Sequence, residues 1–141
     1  MAERSDRIEA AIVGAYVADA TALGFHWLYD PDRIAELAGD VPAFREPDAT
    51  DFEGFKGVFV HAGKRAGDLS QYGFQMRLAV QTMLADGGRF DIPAFQDAFA
   101  AAFGPGGSWT GYMDKATKGT LANLAADRHL PRKGRADQQP D

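Results

Sequence analysis

Cysteine is absent from the sequence. That excludes disulfides, thiolate nucleophiles and Cys-ligated zinc, and it leans towards a reducing compartment, the cytoplasm. Positive charge is scarce as well: 15 Lys and Arg stand against 20 Asp and Glu, for a net charge of −5. A general grip on the phosphate backbone of nucleic acid or on anionic lipid is not expected from that balance. Apolar runs long enough to span a bilayer are missing too. The longest, Ala10 to Phe25, has 16 residues and carries Asp19 near its middle, against roughly 20 apolar residues for a membrane helix. The charges ahead of it, Glu3, Arg4, Asp6, Arg7 and Glu9, sum to −1, the wrong sign for a signal peptide. Phosphate loops, dinucleotide glycine fingerprints, nucleophile elbows and paired metalloprotease histidines are all missing.

What remains is a chain of 141 residues, 45% hydrophobic and 25% charged, the size and balance of one soluble globular domain. We place that domain at residues 1–130. The tail 131–141, whose only apolar residue is Ala136, is expected to be disordered. Apolar periodicity predicts a first helix from about Asp6 to Phe25, buried in the core. Asp30-Pro31 caps a short helix that stops at Gly39. A long loop rich in glycine and phenylalanine follows to Gly67, with a short extended stretch at Phe55 to His61. A second long helix starts near Ser70 and ends at Gly87-Gly88, and Asp91 caps a third that stops at Gly104. The last helix follows Thr110, with Met113, Thr117, Thr120, Leu121 and Leu124 facing inward. The reading is all-α.

Asp19 is the first residue that asks for a chemical explanation. At about 100° per residue it falls some 20° from Ile8, on the apolar stripe of the first helix, where a carboxylate is costly unless partnered. It is either a buried acceptor at a helix junction or a member of a polar pocket. His26 lies two turns further along the same face. His61 and His129 are expected to be solvated, as isolated polar side chains usually are. The stretch Gly67 to Gly73 is a glycine-bracketed polar turn leading into a helix, where Asp68 or Ser70 can cap and backbone amides can hold an anion. Trp27, beside Phe25 and Tyr29, is either a stacking surface or a hydrophobic anchor.

Three ordered blocks carry a resemblance. They are Ala18-Asp19-Ala20 through His26-Trp27 to Asp30, then His61 through Gly67-Asp68-Leu69-Ser70-Gln71-Tyr72-Gly73 to Gln75-Met76, then Gly111 to Thr117. Together they resemble the ADP-ribosylglycohydrolase family over most of residues 8–126. The resemblance implies an all-α helical bundle whose members cleave N- or O-glycosidic ADP-ribosyl bonds, usually with Mg²⁺ in a cleft among the helices. It implies Asp19, His26 and Asp68 as catalytic residues, and Trp27, Ser70, Tyr72, Gly73 and Gln75 as substrate-binding residues. Departures are visible position by position. His26 stands where the family has a metal-linked Glu. Matching Gln75-Met76 puts Gln71, Tyr72, Gly73 and Phe74 where the family has Thr-Asp-Asp-Thr, and no metal ligand is assigned. The family's Asp-rich C-terminal motif is not reached by Asp141, so the bundle is expected to be incomplete and this chain inactive by itself. The alternative is a non-catalytic ADP-ribose-binding or helical interaction module. Expected partners are an ADP-ribosyl small molecule or an ADP-ribosylated protein, with self-association or a second chain completing the bundle, and neither nucleic acid nor membrane.

Overall fold

The computed structural model describes residues 2–41 and 43–126. The tail 131–141 and His129 lie outside the described residues. Five α-helices account for just over half of the described residues: α1 (Ala2–Ala22), α2 (Pro31–Ala38), α3 (Gln71–Ala85), α4 (Ile92–Phe103) and α5 (Lys115–Ala126). Short 3-10 turns at Leu23–Phe25 and Ala49–Phe52 complete the elements. Among the described residues there is no strand. The extended stretch expected at Phe55 to His61 reduces to an isolated antiparallel bridge between Leu28 and Gly57. A Cβ at Gly57 would press on the carbonyl oxygen of Trp27, so the close approach at this bridge requires glycine. The fold is all-α, as the sequence indicates.

The chain divides within the first turn of α3 into two compact units, Met1–Gly73 and Phe74–Asp141. In the first unit α2 starts and stops as its signals dictate. Asp30 accepts the Arg33 N–H, Pro31 occupies the first helical position, and Gly39 leaves the helix at φ 63°. α1 is the correction. The expected buried helix is largely exposed, with Ile8 at 53%, Val13 at 52% and Val17 at 48%. Within this unit it packs against the 3-10 turn that follows it, and Ala20 and Leu23 are its buried contacts. Because the helix forms from Glu3 onwards, Glu3–Phe25 is long and apolar enough to cross a membrane by length and composition alone. Few apolar side chains are buried here, and polar groups share the interior: Asp51, His61, Ser70 and Gln71. Arg45 clamps Asp51 with contacts of 2.7 and 2.9 Å, and Arg33 approaches the same carboxylate at 3.7 Å.

The second unit is conventional. Phe74, Phe99, Ala102, Phe103, Trp109 and Leu124 make one apolar cluster, with tilted and edge-on ring pairs 4.8–5.7 Å apart. α4 packs on α5 across it. Asp91 precedes α4 without a side-chain capping bond. At α5 the cap is Asp114, a buried side chain accepting the Thr117 N–H at 2.7 Å. Met113, expected within that helix, stands before it and packs on the cluster.

Candidate functional site

The polar residues singled out in the sequence meet where α1 ends and α3 begins. Ser70 is the N-cap of α3: its Oγ accepts the N–H of Tyr72 at 3.1 Å and of Gly73 at 3.4 Å. Asp19, 51 residues earlier, takes both donors of that cap. Its Oδ2 accepts the Ser70 N–H at 2.8 Å and its Oδ1 the Ser70 hydroxyl at 2.5 Å. A carboxylate at a helix N-terminus also meets the positive end of the backbone dipoles. Gly73 makes room for it, because any Cβ at that position would overlap Oδ2 and Cγ of Asp19. The glycine is therefore a packing requirement of the junction.

Beside this knot lie two histidines. His26 and His61 approach with 2.6 Å between Nδ1 and Nε2. Around His26 the ring of Trp27 is 6.1 Å away and that of Tyr72 5.6 Å, both edge-on. Trp27 holds φ 73°, a conformation that costs about 1–3 kcal/mol for a non-glycine residue and that gathers at functional sites. His61 corrects the expectation of a solvated side chain, since only 3% of it is exposed. Burial, and then the neighbouring His26 and Lys64, push its pKa down from 6.5 to about 4, against a smaller opposing pull from Asp19. At neutral pH it is an uncharged imidazole.

Two of the other candidates are engaged elsewhere. Asp68 accepts the Arg65 N–H at 2.8 Å within its own turn. Gln75 belongs to the second unit, where it donates to the Thr117 hydroxyl at 2.9 Å. Sequence reasoning missed His61 as a site residue, because only folding brings it to His26, 35 positions away. It also missed the Arg45–Asp51 clamp, for which an arginine and an aspartate six residues apart in the loop were a weak signal. The first unit has a groove of about 1030 Å³ between α1, the end of α2 and residues 43–48. Its walls include Val17, Phe25, Phe44 and Arg45 but neither histidine nor Asp19.

The ADP-ribosylglycohydrolase pattern matches residues 1–140. The chain belongs to the ADP-ribosylglycohydrolase family. It is similar to Crystallin J1A of Tripedalia cystophora, 32% identical over 104 residues, which cover 74% of this chain and 30% of that protein. Crystallin J1B of the same animal is 33% identical over 103 residues, covering 72% and 29%. The chain thus spans about 30% of the length of these relatives. No solved structure matches at a significant level.

The family is generally metal-dependent, so the donors present must be tested against Mg²⁺. That ion demands an octahedral shell of oxygens. Among the described residues no three acidic, histidine or cysteine side chains cluster to hold a metal. Each Asp19 oxygen already accepts one hydrogen bond from Ser70, and the histidines bond each other. The described residues of this family member do not fit Mg²⁺, and no chemical step is derived through it.

Proposed function

We propose that this chain forms one wall of an ADP-ribosyl site of the type that handles N- or O-glycosidic ADP-ribosyl bonds, and that by itself it binds without hydrolysing. The observation that carries the reading is the junction of Asp19, Ser70, Gly73, His26 and Tyr72 at the start of α3, in a member of a family whose activity is glycosidic cleavage. Tyr72 and Trp27 supply ring surface for a base or sugar. Hydrolysis would need converging carboxylates to hold metal or move protons. Among the described residues no group of three such side chains converges, so the chemistry is not assembled here. Calorimetry with ADP-ribose in EDTA is expected to show binding. The companion assay is release of free ADP-ribose from ADP-ribosylated arginine and serine peptides with and without Mg²⁺. Silence up to millimolar ligand ends the binding claim, and Mg²⁺-dependent release ends the claim of inactivity.

A second reading draws on the exposed apolar side chains of α1. A helix apolar around most of its circumference calls for a cover. In this reading the chain is a helical interaction module, completed by a second copy or by another protein. Sedimentation at rising concentration is expected to show association, and a monomer at all concentrations counts against a second copy. The cytoplasm is the compartment proposed for either reading, on the composition.

A further inference from the structure

The contact between His26 and His61 has a definite direction. The ring centroids are 4.8 Å apart and the planes 22° from parallel, while the facing nitrogens are 2.6 Å apart. The centroid separation is close to the nitrogen gap plus the two ring radii, so the rings meet edge to edge rather than face to face. That is the geometry of a hydrogen bond, because an imidazole lone pair lies in the ring plane. One proton lies between the rings, and it belongs either to His61 Nε2 or to His26 Nδ1.

The far side of His61 decides between the two. Its Nδ1 is buried and has no hydrogen-bond partner among the described residues. If His26 Nδ1 were the donor, the neutral His61 would carry its own proton on Nδ1, a buried N–H with nothing to receive it. Such an orphan costs about 1–3 kcal/mol. If His61 Nε2 is the donor, Nδ1 is a buried bare lone pair, the cheaper arrangement. We infer that His61 is a positioning residue that donates its Nε2–H to Nδ1 of His26 and thereby holds His26 in the tautomer with its proton on Nε2. Protonation of His26 is opposed by the same device, since a second proton on Nδ1 would force the orphan N–H onto His61. The groups acting on the pair are Lys64 and Asp19, with Trp27 and Tyr72 flanking His26. His26 therefore presents a hydrogen-bond donor instead of a base. The ligand group it suits is an acceptor oxygen: a carbonyl, a hydroxyl or a phosphate oxygen. None of this depends on ADP-ribose being the ligand.

The test is long-range proton–nitrogen NMR on the ¹⁵N-labelled 141-residue chain at neutral pH, with His26→Gln and His129→Gln variants to assign the rings. The expected spectrum has His26 neutral, with an unprotonated Nδ1 and a protonated Nε2. A His26 imidazolium at pH 7, or a proton on Nδ1, overturns the inference. In His61→Phe the donor is gone, so His26 is expected to populate both tautomers. His61→Gln keeps a donor at the Nε2 position and is expected to restore the single tautomer, which a merely space-filling role would not do. An unchanged His26 spectrum in His61→Phe also overturns it. If that variant does not fold, the wild-type and His61→Gln spectra decide.

Discussion

Removing Asp19 should loosen the first unit more than an ordinary polar deletion, and the structure sets the size. Asp19→Ala strips the acceptor from the Ser70 N–H and from the Ser70 hydroxyl, and Ser70 is only 3% exposed. A buried polar group left without its partner costs about 1–3 kcal/mol. The hydroxyl can turn to another acceptor while the N–H cannot, so the loss should be about 2–4 kcal/mol. That is a large share of the 5–15 kcal/mol that typically holds a domain together. Ser70→Ala also removes the cap on Tyr72 and Gly73, for about 1 kcal/mol, besides its bond to Asp19. The double variant should then lose less than the two single losses combined, by the roughly 1.5–3 kcal/mol of a hydrogen bond to a charged group. Urea denaturation followed by circular dichroism on the four proteins of the cycle measures this. Additivity within about 0.5 kcal/mol would mean that the two side chains are independent, and the argument for a knot at this junction would fail.

Two further outcomes follow from the same region. Gly73→Ala places a Cβ against the Asp19 carboxylate, and overpacking of this kind costs about 1–3 kcal/mol. The loss should shrink sharply in an Asp19→Ala background, as read from urea midpoints. Stability should also fall with pH through His61. Between about 6.5 and about 4 the unfolded chain takes up a proton that the folded chain refuses, so stability is full above 6.5 and declines as the pH drops towards 4. The whole interval is worth about 3 kcal/mol. Thermal melts at a series of pH values, compared with His61→Phe, should show a slope in the wild type that the variant lacks, and equal slopes would refute the assignment.

Local signals were easy to read because their physics is local. Asp30-Pro31 and Gly39 bound α2 at the residues the sequence indicates, since a cap, a fixed φ and a left-handed glycine act within one turn. The start of α3 at Ser70 and its end before Gly87 follow the same logic. Asp19 could be identified as misplaced on an apolar stripe, but not its partner, because nothing in the spacing of a chain says which loop will return to a carboxylate 51 residues away. His61 is the clearest failure. As one polar residue in a glycine-rich loop it is indistinguishable from a solvated side chain until the loop is closed against His26.

By itself, then, the order of residues settled the helical class, the ends of α2 and α3, and the family. Those depend on propensities, caps and motif blocks that are read along the chain. The three-dimensional arrangement settled which polar groups share an interior: the Asp19–Ser70 knot, the imidazole pair and the Arg45 clamp on Asp51. It also left α1 exposed where its apolar composition had implied burial. Burial and pairing are properties of what packs against a residue, and that neighbour is chosen by loop closure over tens of residues rather than by the residue itself.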